Sequence, residues 1–313
     1  MLATDDLDYP LPPGAVATHP AEPRDSAKLM VVSRSDESML EHAQIKDAPR
    51  FFRKGDCIIV NSTRVLAARL EGKRPDTGGK VGGLYLRSVP KPAEWAASDR
   101  AWIALLSAKS LREGIDARFG GDSGITATLI ARQPDEVGAW LLKVSGAPAD
   151  EPDDSVLAGV GLTPLPPYIL KARRDAAETH EDSFDRDRYQ TVFASSSGSV
   201  AAPTAGLHFT PAVLENLASR GVNRAEVLLH VGTGTFRTVE TKFVEEHPMH
   251  SEWCEMSVAT RDRILATRQA GGRVFCVGTT SARTVESMAA NTHLFSDLGA
   301  SMDTRLLITP GYQ

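Results

Sequence analysis

The chain is short of cysteine, of long apolar runs and of any excess of positive charge. Its three cysteines, Cys57, Cys254 and Cys276, lie far apart in 313 residues. That spacing excludes a disulfide framework and gives no structural zinc cluster, and it fits a reducing, cytoplasmic compartment. No apolar run approaches the ~20 residues that a membrane-spanning helix needs, so no membrane partner is expected. The opening stretch MLATDDLDYPLPPG is acidic and proline-rich, unlike a signal or transit peptide. A formal net charge of −5 excludes a generic nucleic-acid binder. Neither an internal repeat nor a low-complexity tract is found.

What is there is an ordinary soluble composition, 42% hydrophobic and 24% charged, in a length that suits about two domains. Basic residues gather in two places. Between Arg50 and Lys80, Arg53, Lys54, Arg64, Arg69, Lys73 and Arg74 outnumber Asp56, Glu71 and Asp76. Lys171, Arg173 and Arg174 form a second knot. Either can meet phosphates, and either can be a solvated surface.

Three textures follow one another. Up to about Leu70 there are strand candidates at Leu29–Val32 and Cys57–Val60. From Glu71 to Ala158 come short strand-like runs at Val81–Arg87, Ala101–Ala108, Ile115–Phe119, Ile125–Arg132 and Ala139–Ser145, parted by turn-rich pieces. Such spacing predicts a small antiparallel β-barrel. Ala147–Asp154 reads as a loop leaving it, and PLPPYIL (Pro164–Leu170) as a polyproline elbow presenting Tyr168, or a linker. Beyond, helix and strand alternate. A helix follows Thr210, a good N-cap, and Pro211, and ends near Gly221. Strands are predicted at Ala225–Val231, Arg273–Val277 and Arg305–Thr309, with helices at Ser257–Ala270 and Ser281–Ala290. The architecture expected is an α/β main domain, residues 1–70 and 159–313, with a β-barrel domain inserted at 71–158.

Six segments carry candidate chemistry. GSVAAPTAGLHF (Gly198–Phe209) is nearly uncharged, built of small residues, and sets His208 at the mouth of a helix N-terminus, where N–H groups attract anions. HVGTGTFR (His230–Arg237) leaves an apolar strand, the end at which open α/β sheets bind ligands. It lacks the third glycine of the dinucleotide fingerprint. HPMHSE (His247–Glu252) offers imidazoles for a metal or for proton transfer, but Pro248 opposes a shared helical face for His247 and His250. GTTSARTVES (Gly278–Ser287) aims hydroxyls and helix N–H groups at an anion such as a carboxylate or phosphate. Near the N-terminus, HPAEPRDSAKL (His19–Leu29) and VNSTRVLAARL (Val60–Leu70) place polar groups beside short strands. Each segment is also readable as a capped or tight turn.

Taken together and in order, these segments resemble the S-adenosylmethionine:tRNA ribosyltransferase-isomerases of queuosine biosynthesis. The likeness also rests on DYPLPPGAVATHPAEPRDSAKLMV, GDCIIVNSTRVLAARLEGKR, TGGKV, DRDRYQTVFA, EEHPMHSEW, GGRVFCVGTTSARTVES and ITPGY, and is weakest from Gly82 to Val160. It implies an enzyme that moves the ribosyl part of S-adenosylmethionine onto 7-aminomethyl-7-deazaguanine at the tRNA wobble position. The sugar is rebuilt into an epoxycyclopentanediol, giving epoxyqueuosine, while adenine and methionine leave. S-adenosylmethionine is then a consumed substrate, no cofactor or metal is implied, and a monomer is expected. The sulfonium acidifies the neighbouring 5′ carbon, so a base working near neutral pH is required, and His208, His230, His247 and His250 are the candidates, unranked. The attacking amine must be neutral, and the departing adenine profits from a hydrogen-bond donor. Phe209, Phe236 or Tyr189 can face the sulfonium. The methionine carboxylate can sit on Thr279, Thr280 and Ser281 with Arg283. His19, Arg24, Asp25, Asn61, Thr63, Arg64, Gln190, Pro203, Thr204, Gly206, Gly232, Thr233, Gly234, Thr235, Arg237 and Glu252 complete the expected substrate-binding set. tRNA is expected to meet the two basic patches in a salt-sensitive way, with the target base out of its stack.

Family members continue past the GY of ITPGY with an Asn-Phe-His-Leu-Pro stretch and a final helix, where this sequence stops at Gln313. A protein lacking that segment is expected to lose part of the site. Two rival readings follow: a metal-dependent hydrolase built on the histidines and Glu252, and a catalytically inactive tRNA-binding remnant.

Overall fold

The computed structural model describes residues 1–313 except 13, 34, 35, 37–39, 122, 123, 135, 179, 180, 237, 297 and 313. β1 (Lys28–Val32) and β2 (Leu40–Gln44) pair antiparallel as a two-stranded sheet near the N-terminus. β3 (Cys57–Asn61) is buried at every position, as a central strand of an α/β sheet should be. β4 (Thr63–Val65) follows at once.

The expected barrel is closed. β5 (Arg69–Lys73), β6 (Lys80–Val89), β7 (Arg100–Ser107), β8 (Asp116–Phe119), β9 (Ile125–Arg132) and β10 (Ala139–Ser145) pair antiparallel in the order β10-β7-β6-β5-β8-β9. In β9 alternate residues Ile125, Ala127 and Leu129 turn inward, the period of a strand with one buried face. Trp102, Trp140, Phe119, Leu129 and Leu142 fill the interior. Gly83 is required by strand approach: a Cβ there would lie 2.3 Å from the Leu105 carbonyl oxygen.

The expected loop holds through Pro152, and helices form after it and within the expected elbow. α1 (Asp153–Val160) lays Val156, Leu157 and Val160 on the barrel core. Asp153 also accepts a hydrogen bond from Trp102 Nε1 at 2.9 Å. α2 (Pro167–Asp175) starts on a proline, whose missing N–H costs nothing in the first turn, so PLPPYIL is a helix start. α3 (Asp182–Arg188) follows, then β11 (Ser196–Ser199), parallel to β4.

The remaining elements are α4 (Pro211–Ser219), β12 (Asn223–Leu229), β13 (Glu252–Met256), α5 (Val258–Gln269), β14 (Val274–Cys276), α6 (Thr279–Ala290) and β15 (Ala300–Thr304). Thr210 caps α4 by accepting from Val213 N, and Ser257 caps α5 by accepting from Thr260 N. The main sheet runs β14-β3-β12-β13-β15, with β14, β3 and β12 parallel and the last two antiparallel. Asp56 pins the start of β3 to that of β14: it accepts from Arg53 N and Arg273 N, and pairs with the Arg273 guanidinium. Burial alone would push its carboxyl up, but these donors outweigh it and hold it at about 2.

One strand lies elsewhere than expected. Arg305–Thr309 is outside any strand, and the preceding ASMDT pairs with β13, burying Ala300 and Thr304. The apolar run Leu306–Ile308 lines a cavity instead. β13 was not foreseen, although Glu252, Cys254 and Met256 alternate inward. Among the described residues no helix is long and apolar enough to cross a membrane.

Candidate active site

Because β14, β3 and β12 are parallel, their C-terminal ends meet at one edge, and antiparallel β13 brings its first residue, Glu252, to the same edge. Asn61 locks that edge: its side chain donates to Leu229 O at 3.0 Å and accepts from Leu229 N at 3.1 Å. Beyond Leu229, His230 Nδ1 lies 2.9 Å from Thr63 Oγ1. The ring stacks on Trp253 with centroids 5.4 Å apart. Gly198, at φ +148°, makes room for it, since a Cβ there would fall 2.6 Å from the imidazole. Burial holds His230 below its ordinary pKa, favouring the neutral ring.

Glu252 is the keystone of the edge. One carboxylate oxygen accepts from Gly232 N at 2.8 Å, and the other accepts from Arg283 Nη1. Arg283 Nη2 in turn donates to His250 O at 3.2 Å and Thr304 O at 3.0 Å. The pair is nearly dry, with side chains 5% and 12% exposed. Gly234 packs on His250, where an added Cβ would lie 2.9 Å from the His250 Cβ and 3.0 Å from its ring.

Two cavities open here. One, of about 440 Å³, is lined by His247, His250, Glu252, Arg283, Met249 and Leu306–Ile308. The other, of about 570 Å³, is lined by Pro166, Pro167, Tyr168, Tyr189, Ala202–Ala205 and Val231. Both share Thr235, Thr279 and Thr280. The helix α6 begins there after Gly278, whose φ of +87° only glycine adopts readily, and has no side-chain cap. Thr280 Oγ1 and the Tyr189 hydroxyl are buried without a hydrogen-bond partner. A third cavity of about 390 Å³ shares Tyr168, Tyr189 and Thr204 with the second, and is lined by His19, Arg24 and His208.

The arrangement is a polar edge onto which two adjoining cavities open. Residues 4–313 match the family model described as queuosine biosynthesis protein. The chain belongs to that family. Relatives named S-adenosylmethionine:tRNA ribosyltransferase-isomerase include one from Novosphingobium aromaticivorans, 41% identical over 312 residues, covering 99% of this chain and 83% of its own length. Another, from Caulobacter sp. strain K31, is 43% identical over 325 residues, with 98% and 81% covered. A solved S-adenosylmethionine tRNA ribosyltransferase from Thermotoga maritima aligns over 98% of this chain and 80% of its own at 24% identity, with a TM-score of 0.44. That score is too low to support any conclusion.

The four candidate histidines are distributed. His247 and His250 share one cavity, His208 lines another, and His230 lines none of these cavities. Among the described residues no group of three or more His, Cys, Asp or Glu is placed to hold a metal, which leaves the hydrolase reading without a ligand set. Thr235, Thr279, Thr280, Pro203, Thr204 and Tyr189 line cavities.

Several expected contacts are spent inside the protein. Arg283 is committed to Glu252, so it is no free counter-ion for a carboxylate. Ser281 is buried and donates to Val277 O at 3.0 Å. Phe209 packs in the core near Phe193. Gly206 exists for packing, since a Cβ would meet the Phe193 ring at 2.7 Å. Arg24 donates to the carbonyls of Gln190 and Asp187, and Asp25 accepts from Thr210, so both tie the N-terminal segment down. Gln190 pairs with the Val65 backbone through both ends of its amide, and Arg64 donates to Ala194 O. His19 meets Glu178 at 2.9 Å. Thr233 lines none of these cavities. Arg237 and the Phe236 side chain lie outside the described residues. The basic knot at 171–174 is not a uniform surface, because Arg173 is buried in a two-pronged pair with Asp185. In the longer patch Arg50, Arg69 and Arg74 pair with Glu41, Glu71 and Asp76.

Sequence reasoning missed Trp253 and the role of Leu306–Ile308. Trp253 had a signal, an aromatic directly after HPMHSE. Leu306–Ile308 had none, since a cavity wall is made by distant segments.

Proposed function

We infer that this chain transfers and isomerises the ribosyl group of S-adenosylmethionine in queuosine biosynthesis. The observation that carries this reading is the match along residues 4–313 to one family, whose relatives at about 40% identity bear that activity in their name. The acceptor in this reading is 7-aminomethyl-7-deazaguanine at the tRNA wobble position, and the products are epoxyqueuosine-tRNA, adenine and methionine. The enzyme acts as a cytoplasmic monomer with tRNA and S-adenosylmethionine as its partners.

The site geometry supports particular roles. His247 and His250, which share a cavity, are the candidates to remove the 5′ proton made acidic by the sulfonium. The dry Glu252–Arg283 pair holds the Gly232 amide and the His250 carbonyl, and so positions both the loop after β12 and the HPMH segment. Thr279, Thr280 and the uncapped start of α6 offer donors to the methionine carboxylate. The reaction moves bonds without net oxidation or reduction, so this reading requires no redox cofactor.

Incubation with S-adenosylmethionine and tRNA bearing 7-aminomethyl-7-deazaguanine tests the reading. It expects adenine release in step with the mass gain of the modified nucleoside. Adenine release without that gain, or a folded chain that releases none, would overturn it.

A further inference from the structure

Three cations stand in one row on the outside of the barrel. Lys80 of β6 faces Lys73 of β5, and Lys73 faces Arg118 of β8. All three are exposed while their chain neighbours Val81, Ala117 and Phe119 are buried, so the row lies on the outer face. Neighbouring strands are about 4.8 Å apart, which makes the row roughly 10 Å long. Like charges directly opposite one another in a sheet repel. Among the described residues none of the three is in an ion pair, and the acids nearby are engaged elsewhere. Glu71 pairs with Arg69, Asp76 pairs with Arg74, and Asp116 accepts from Thr128 Oγ1 at 2.6 Å. The connection that leaves β7 at this end of the barrel adds exposed Lys109 and Arg112 against one exposed acid, Glu113. Two residues from Lys80 on the same face is Gly82, where a Cβ would touch nothing, so packing does not require a glycine there. A glycine on the open face of a strand lets another backbone come close.

We propose that the row Lys80–Lys73–Arg118 is a docking surface for tRNA, holding backbone phosphates that lie away from the reacting base. The proposal rests on the ribosyltransferase reading above and deepens it by assigning the surface that takes the body of the tRNA. Phosphates placed along the row relieve its internal repulsion, which no group of the protein does.

The place of the row sets the size of the partner. β5 leaves the main domain at Arg69, which is bridged to Leu162. Lys73 is four residues on, about 13 Å along the strand. A small substrate seated at the edge of the main sheet does not reach it, since none of the cavities there takes a wall from the barrel strands. A polyanion anchored at that edge and running outward does. The protein as a whole carries −5 and repels such a chain, so binding falls to places where cations are gathered and unpaired. The basic stretch from Arg50 to Lys80 is not such a place throughout, because Arg50, Arg69 and Arg74 are paired with acids. Lys73 and Lys80 are left over from it, and the fold adds Arg118 from a separate strand.

The triple variant Lys73→Gln, Lys80→Gln, Arg118→Gln is the test. Its affinity for fluorescently labelled tRNA bearing 7-aminomethyl-7-deazaguanine is read by anisotropy between about 50 and about 200 mM salt. Affinity is expected to fall about 10- to 100-fold at the low-salt end, and the slope of log affinity against log salt to become shallower by about 2–3. S-adenosylmethionine affinity, read by calorimetry, is expected to match wild type. The variant is expected to melt at or above the wild-type temperature, because a like-charge row is removed. Wild-type tRNA affinity and salt slope in the variant overturn the proposal while leaving the ribosyltransferase reading intact. So does an equal loss in Arg220→Gln, Arg263→Gln, Arg268→Gln, which removes the same charge from exposed positions of the main domain, since net charge is then the cause. Melting well below wild type also overturns it, since the cations are then structural. Row-dependent tRNA binding by a wild-type chain that never releases adenine supports the surface and sinks the ribosyltransferase reading.

Discussion

The β-barrel and the edge of the main sheet are built from similar side chains to opposite ends. In the barrel, Trp102, Trp140, Phe119 and Leu142 are packed against one another with almost no exposure, and none of the cavities described above takes a wall from β5–β10. Even the Trp102 N–H finds a carboxylate. At the sheet edge the same chain leaves the Tyr189 and Thr280 hydroxyls and the Arg283 Nε unpaired, buries an ion pair, and packs two imidazoles against glycines. The barrel also keeps buried atoms unpaired, Arg100 Nε and Glu136 Oε2 among them, so what sets the sheet edge apart is that its unpaired groups belong to residues lining cavities.

The comparison is broken most forcefully at its keystone. Glu252→Ala leaves Arg283 buried without its partner and should cost about 3–5 kcal/mol in a urea titration, with adenine release lost as the loop after β12 and the HPMH segment come loose. A cost under about 1 kcal/mol would show that the pair is not a dry one. Leu142→Ala in the barrel should also cost about 2–5 kcal/mol, through a cavity, yet the folded fraction should keep its kcat for adenine release. A proportional fall in kcat would mean that the barrel takes part in the site. Gly198→Ala should cost about 1–3 kcal/mol, because the new methyl meets the His230 ring and the backbone stands at φ +148°. An enzyme of unchanged stability would show that His230 can retreat freely.

The smallest effect sharpens the comparison through pH. Burial keeps folded His230 neutral, so below its ordinary pKa of 6.5 the unfolded chain takes up a proton that the folded chain refuses. Stability should therefore fall as pH drops below that value, by at most about 1.4 kcal/mol per unit, down to the depressed folded pKa. His230→Gln should flatten this part of the curve. An unaltered curve in that variant would mean that His230 does not resist protonation.

How far sequence reasoning reached depends on the range of the forces involved. The barrel strands and the cap Thr210 were readable because period-2 alternation and capping act over a few residues. β3, β12 and β14 were foreseen for the same reason, with bounds within two residues of those observed. α1 escaped notice because its eight residues begin at the end of a Pro- and Asp-rich stretch and owe their helix to the barrel surface they cover. Leu306–Ile308 read as a strand because an apolar run looks alike on a sheet and on a cavity wall.

The sequence by itself determined the family, the barrel, the alternation of helix and strand, and which chemical groups were available. Only the tertiary structure decided how those groups are used. Arg283 and Ser281 look free in the sequence and are spent inside the protein, because Glu252 and Val277 reach them across the fold. Tyr189 looks like one more aromatic and carries an unpaired hydroxyl, because whether a buried polar group has a partner depends on segments far away in the chain.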